Sequence, residues 1–242
     1  MTLQSSLWAK AHYQRREERQ LVRMFETRFL GRSCLDVGCG EGRYLRMLSG
    51  LCSRMVGIDE NPDQIGALRR EGFEVFHSSE FIPGKYDLIL VSHVVEHLSA
   101  QELVGFMEKY VPMLQEQGRL IVITPFPGIR FWHDWTHVRP YTPQSLGMLF
   151  GILGGPAAYR AKVAMELEDI WFFRDCWRIR NSRGYFSLDS SAHPIGRGFR
   201  QVVQTLNTFF ACLYLVSGGR AGGLASWMGV YRQADTKGCH EK

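Results

Sequence analysis

Three groups of residues in this 242-residue chain have the types and spacing of reactive chemistry. The first is Asp36-Val-Gly38-Cys39-Gly40-Glu41-Gly42, with Asp59 lying 21 residues after Gly38. A glycine-rich turn lets a ligand come close to the backbone, and an acid about 20 residues on takes a ribose diol. The second group, His93-Val-Val-Glu96-His97, could move a proton or hold a metal. The third is Asp134-Trp-Thr-His137-Val-Arg139-Pro-Tyr141-Thr142-Pro, a polar stretch with a histidine suited to general base chemistry.

These residues need elements to hold them. Cys34–Asp36, Met55–Asp59, Tyr86–Ser92 and Leu120–Thr124 are short apolar runs, each ending at a polar or glycine-rich point. Helical signals lie between them. Asn61 caps with Pro62 at the first position, and Gly72 stops. Ser99 and Glu102 form a capping-box pattern ahead of Leu103, Phe106, Met107, Tyr110 and Leu114, with a kink or restart expected at Pro112. Thr142 and Pro143 open a helix with Leu146, Leu149, Phe150 and Leu153 on its apolar face. Strands alternating with helices predict an α/β fold. The expected architecture is a Rossmann-like doubly wound seven-stranded sheet, mostly parallel with the last strand antiparallel, and helices on both faces. Residues 1–30 read as an N-terminal helix over the ligand site and 31–154 as the ligand-binding core. Residues 155–233 add strands, a basic insertion and an amphipathic helix to the same domain, and 234–242 are a tail. Tyr159–Phe173 reads as one long strand and LASWMGVY as the last.

The loop carboxylates Asp36 and Glu41 disfavour a diphosphate, which seeks bare N–H groups at a helix N-terminus. A ligand with an amino acid head and a positive sulfonium suits them better, and the spacing is GxGxG rather than GxGxxG. CLDVGCGEGRYLRML, VGIDENPDQI, KYDLILVSHVVEHL and GRLIVITPFP then resemble, in order and spacing, the motifs of class I S-adenosylmethionine-dependent methyltransferases. The resemblance implies that Asp36, Gly38, Cys39 and Gly40 line the methionine end of S-adenosylmethionine. It implies that Asp59 takes the ribose hydroxyls, with Glu60 and Asn61 bordering ribose and adenine. Ser79 or Glu80 falls near the adenine, Ser92 and His93 face the cofactor, and Tyr13 closes over it.

His93-x-x-Glu96-His97 also matches the inverted zinc-peptidase pattern, but it stands inside a complete methyltransferase series. Small-RNA 3′-end methyltransferases hold a divalent ion with Glu-x-x-Glu-His and a downstream His, and polyprenyl-quinol O-methyltransferases resemble them in the first cluster. Here His93 replaces the first Glu, which weakens a magnesium site. A softer metal could use the imidazoles with Glu96, but the expected site contains no metal. The segment from Asp134 to Thr142 resembles the DxTHxRxYT stretch of bacterial methyltransferases that tailor surface polysaccharides of the O-antigen type. Those carry Pro where this chain has Trp135, an indole suited to stacking on a sugar or an aliphatic chain. His137 is the expected base, with Asp134 orienting it and His93 or His97 in reserve. Arg139 suits an anionic group on the acceptor. A simpler reading has the same residues ordering the loop.

The expected activity is O-methylation of a surface-polysaccharide or lipid-linked glycan acceptor. The alternatives are O-methylation of a lipophilic molecule such as a quinol, and a cofactor-binding subunit without catalysis. The composition, 45% hydrophobic and 22% charged, excludes a disordered or collagen-like chain. Net charge is +5, but residues 1–125 hold 15 basic against 16 acidic residues and residues 126–242 hold 14 against 8. The positive half should meet an anionic acceptor, and nucleic acid is disfavoured because no RNA-binding motif is present. Six cysteines without a CxxC pair read as free thiols in the cytoplasm. Phe209–Val216 is too short to span a bilayer. The stripe Phe199, Val202, Val203, Leu206, Phe209, Phe210 and Leu213 reads as a core helix first. Beside the arginines of residues 174–200, its second reading is a peripheral contact at the inner face of a membrane.

Overall fold

The structure, a computed structural model, describes residues 10–128, 131–154, 159–179 and 197–234, with only the backbone of 197–201. Its strands are β1 (Ser33–Val37), β2 (Arg54–Asp59), β3 (Glu74–His77), β4 (Tyr86–Ser92), β5 (Leu114–Pro125), β6 (Met165–Cys176) and β7 (Gly222–Gln233). Its helices are α1 (Gln14–Arg28), α2 (Arg43–Leu48), α3 (Pro62–Arg70), α4 (Ala100–Tyr110), α5 (Pro143–Leu149) and α6 (Arg197–Val216).

The seven strands form one sheet in the order β3-β2-β1-β4-β5-β7-β6. Strands β1 to β5 pair in parallel, and β7 runs antiparallel to β5 with Trp227 opposite Thr124. Leu35, Val37, Val56, Ile58, Ile89, Val91, Leu120 and Val122 fill the core. Cys34, Leu88, Leu90, Ile121 and Ile123, which point to the opposite face, are buried too, so these strands read as apolar runs without alternation. The chain runs outward from β1 through β2 to β3, then crosses back to β4 on the other side of β1. Such a reversal opens a crevice at the carboxyl ends of β1 and β4, where the glycine loop and His93 emerge.

Capping chemistry sets the starts of three helices, of which α4 lines this crevice. The Asn61 side chain accepts from the N–H groups of Asp63 and Gln64, with Pro62 at the first helical position. Ser99 and Glu102 form a reciprocal capping box on α4, and Thr142 and Ser145 form one on α5.

The chain divides into two compact units. The larger, Arg19–Phe172 with Ser226–Lys242, holds the glycine loop and both histidine-bearing segments. The smaller comprises Met1–Glu18 and Phe173–Ala225. In it, Ala211 and Tyr214 of α6 are buried with Ala11 and Cys176, and the Arg16 guanidinium lies 5.2 Å from the Tyr214 ring centroid.

Several expectations are corrected. Tyr159–Phe173 is not one strand, since β6 begins at Met165 and runs on to Cys176. The break expected at Pro112 is present, since α4 stops at Tyr110 and Pro112 sits in a 3-10 turn from Val111 to Met113, but the helix does not resume. Leu114 therefore opens β5 instead of ending a helical stripe. Leu153 lies past α5 and is exposed, whereas Leu146, Leu149 and Phe150 are buried. The α6 stripe is divided: Phe210 packs against the small core cluster and Val203 is half-buried, whereas Val202, Leu206, Phe209 and Leu213 are exposed. Phe199 lies outside the described side chains, as do Arg180, Arg183, Arg197 and Arg200 of the basic insertion.

Trp227 is fully buried, and its Nε1 donates to the Tyr141 carbonyl at 2.9 Å, fixing the segment that leads into α5. Trp227→Ala should cost about 3–5 kcal/mol of stability, read by urea unfolding.

Candidate active site

The glycine loop is pinned by backbone donors. Gly38 and Cys39 N–H groups donate to the Ile58 carbonyl at 2.8 and 3.0 Å. The Asp59 carboxylate accepts from Gly40 N–H at 2.7 Å and from Glu60 and Asn61 N–H at 2.9 Å each. It thus ties the loop to the end of β2. Gly38 has φ +78°, and a Cβ there would collide with Val94 Cγ2, so only glycine fits. Gly40 has φ +52° with nothing within 4 Å of an added Cβ.

Beside the loop lies a cleft of about 600 Å³ that brings together Gly38, Gly40, Asp59, Glu60, His93 and His97. Ser78, Leu98, Glu102 and Phe106 also line it, and the sequence reading missed them. Phe106 packs against the core cluster as well as lining the cleft, and helical spacing alone does not distinguish the two. Four other expected residues have side chains engaged elsewhere. Cys39 packs in a core cluster with Leu45 and Ile65, and Asn61 caps α3. The Ser79 hydroxyl lies 2.6 Å from His77 Nδ1, leaving its neighbour Ser78 at the cleft. Tyr13 belongs to the smaller unit, where it stacks on His12. The Ser92 hydroxyl is buried and has no hydrogen-bond partner among the described residues.

Asp36 is more unusual. It is 1% exposed, and neither carboxylate oxygen has a hydrogen-bond partner among the described residues. Loss of solvation, reinforced by the negative Asp59, pushes its pKa from 3.8 up to about 7.

The histidines form a second assembly around Glu96. His93 is the single non-glycine residue at positive φ among the described residues, at +56°. Its Nδ1 lies 3.2 Å from Glu96 Oε1, and the Thr124 hydroxyl donates to Glu96 Oε2 at 3.1 Å. His137 Nδ1 lies 2.7 Å from the Phe131 carbonyl oxygen. A carbonyl only accepts, so Nδ1 carries the proton and Nε2 of the neutral ring keeps its lone pair. His97 is held similarly. Its Nδ1 is 3.1 Å from both the carbonyl and the hydroxyl oxygen of Thr136, and that hydroxyl donates to Asp134 Oδ1 at 2.6 Å.

Asp134 was expected to orient His137, but its Oδ2 is 3.8 Å from Nε2, beyond a hydrogen bond. Its other oxygen is occupied by Thr136, whose hydrogen bonds lower the Asp134 pKa. The Phe131 carbonyl does the orienting, and a backbone acceptor leaves no mark in a sequence. Glu96, His97 and His137 each offer one donor atom within 4.8 Å of the others. Two imidazoles and a carboxylate suit a divalent transition metal, and Nδ1–H bonds to carbonyls are the usual support for metal-binding imidazoles.

A family described as a methyltransferase domain matches residues 9–184. A ubiquinone biosynthesis O-methyltransferase of Chelativorans sp. is 31% identical over 106 residues, covering 40% of this chain and 41% of that protein. A tRNA (carboxymethyluridine(34)-5-O)-methyltransferase of Xenopus tropicalis is 28% identical over 92 residues, 36% of this chain. That match covers only 14% of the Xenopus protein, so this chain spans less than half the length of either relative. Among solved structures, the N-methyltransferase NodS of Bradyrhizobium japonicum with bound S-adenosyl-L-homocysteine has a TM-score of 0.56 at 16% identity, covering 92% of this chain and 88% of NodS. An S-adenosylmethionine-dependent methyltransferase of Archaeoglobus fulgidus has a TM-score of 0.54 at 19% identity, covering 90% and 92%. At these identities the likeness is one of fold.

The site residues fit a cationic nucleoside. A buried carboxyl without a partner is suited to positive charge, and the glycines allow close approach beside Asp59. In the free protein, Asp36 keeps its proton at pH values where the unfolded chain has released it. Its cost to the fold therefore grows from about pH 4 to about pH 7 and is constant above. Asp36→Asn should raise the melting temperature of the free protein by about 3 °C or more at pH 8, and by less at pH 5. A bound cation favours the ionised form, so calorimetry should show S-adenosylmethionine affinity falling as pH drops through about 7. The Asn variant should bind weakly and lose that pH dependence.

Proposed function

The chain belongs to the methyltransferase-domain family, and from that premise we propose O-methylation of a lipid-linked glycan of the surface-polysaccharide type. The enzyme is an S-adenosylmethionine-dependent methyltransferase. Bound S-adenosylmethionine supplies an activated methyl group on a sulfonium. Asp36 and the backbone from Gly38 to Gly40 would hold its amino acid end, Asp59 and Glu60 the ribose, and Ser78 the adenine side.

The observation that carries the reading is the tautomer of His137. With Nδ1–H committed to the Phe131 carbonyl at 2.7 Å, Nε2 is the nitrogen able to take a proton from an acceptor hydroxyl. The same loop exposes two indoles, Trp132 at 62% and Trp135 at 92%, which suit stacking on a sugar face. A separate pocket of about 370 Å³, lined by Leu103, Tyr141, Met148, Leu149 and Tyr159, suits an apolar chain. Arg139 at that pocket suits a phosphate or carboxylate on the same molecule.

A second reading, transfer to a lipophilic hydroxyl compound such as a quinol, is favoured by the Glu96, His97 and His137 donor group. In that reading these three hold a divalent ion and His137 no longer serves as base.

The test is incorporation of labelled methyl from S-adenosylmethionine into fractionated lipid and glycan extracts. His137→Gln should lower incorporation about 10²–10⁴-fold while leaving S-adenosylmethionine affinity unchanged. Unchanged turnover removes His137 from the chemistry. EDTA should have no effect on the first reading, whereas activity lost in EDTA and restored by an added ion establishes the second. S-adenosylmethionine binding with no incorporation into any fraction would leave a cofactor-binding subunit.

A further inference from the structure

Helix α6 leaves its apolar stripe in solvent. Val202, Leu206, Phe209, Leu213 and Val216 recur at steps of four and three residues and are 55, 41, 58, 39 and 88% exposed. The helix is fastened by other side chains. Tyr214 is buried and its hydroxyl donates to the Arg174 carbonyl at 2.5 Å. Asn207 bonds both backbone groups of Ile179, at 2.7 and 3.2 Å. Those bonds fix the segment just after β6 that carries Trp177, itself 49% exposed.

Charge segregates with this stripe. The smaller unit contains ten Lys or Arg against four Asp or Glu, a net charge of +6, whereas the larger contains 19 against 20. From Gln201 to Val216 there is no charged residue, and arginines stand on either side, at 197 and 200 before and at 220 after. Basic residues bracketing an uncharged amphipathic helix match the chemistry of an anionic lipid surface, where apolar side chains enter the acyl boundary and cations meet headgroups. No helix among the described residues is long and apolar enough to cross a membrane, so a helix of this kind lies on the surface.

We propose that the smaller unit docks on an anionic bilayer surface, with α6 in the membrane plane and its stripe from Val202 to Val216 facing the lipid. A second copy of the chain is a poorer occupant. Helix pairs built on a four-three stripe set partner and register with charged flanking residues, and here the flanks are Val203, Thr205, Phe210 and Cys212. Pairing would also bring two units of charge +6 together. The inference does not depend on which acceptor the enzyme methylates.

The test is flotation of the full chain with vesicles of phosphatidylcholine alone and with about 30% phosphatidylglycerol. Binding to the anionic vesicles at low salt, lost at about 1 M salt, is expected. The double variant Leu206→Gln/Phe209→Gln should reduce it at least tenfold while S-adenosylmethionine affinity, read in parallel, stays unchanged. Should that variant fail to fold, Arg200→Gln/Arg220→Gln should reduce anionic binding severalfold with the stripe intact. No flotation with anionic vesicles, equal flotation with phosphatidylcholine alone, or binding unchanged in a folded stripe variant would overturn the proposal. So would a dimer, seen by light scattering, that the stripe variant dissolves while vesicles stay unbound.

Discussion

A carboxyl group buried without a partner among the described residues is the constraint around which the cleft of the larger unit is arranged. Asp36 emerges from the central strand β1, where solvent cannot reach it and no described donor satisfies it. Such a group weakens the free fold. The second acid, Asp59, shows the contrast. Three backbone N–H groups hold it, and it shapes the glycine loop. One carboxylate therefore builds the cradle, and the other, without a partner among the described residues, is suited to a positive charge.

The histidine assembly follows the same division between support and chemistry. Backbone carbonyls of Phe131 and Thr136 take the Nδ1 protons, so His137 and His97 both have Nε2 as their available nitrogen. Glu96, bonded by Thr124 and close to His93, fixes the floor beneath them. Its backbone carbonyl also accepts from Val138 and Arg139 N–H groups, at 2.8 and 3.2 Å, joining the segment after β4 to the loop after β5. Two stretches about 40 residues apart are thereby made into one site.

Much of this was legible in the sequence because it rests on local rules. The glycine loop, the acid at the end of β2, the Ser99 and Thr142 caps and the Asn61-Pro62 helix start are set by neighbouring residues, and each is found where the pattern puts it. Features that depend on distant partners were not legible. The orientation of His137 comes from a main-chain carbonyl, and Asp134 is drawn away by Thr136. β3 is only four residues long at the sheet edge, too short to show a pattern. The apolar periodicity of α6 is real, but periodicity cannot say whether a stripe faces a core or solvent. The charge asymmetry was visible as a difference between halves of the chain, and the structure narrows it to the smaller unit.

Asp36 should hold its proton in the free protein up to about pH 7 and ionise when the cationic S-adenosylmethionine binds. Carbon-13 NMR of the aspartate carboxyls, assigned with Asp36→Asn, measures this directly. The Asp36 signal should titrate near pH 7 in the free protein and be fully ionised at pH 6 once S-adenosylmethionine is bound. An Asp36 carboxyl that titrates near its ordinary 3.8 in the free protein, or whose titration S-adenosylmethionine leaves unmoved, would contradict it.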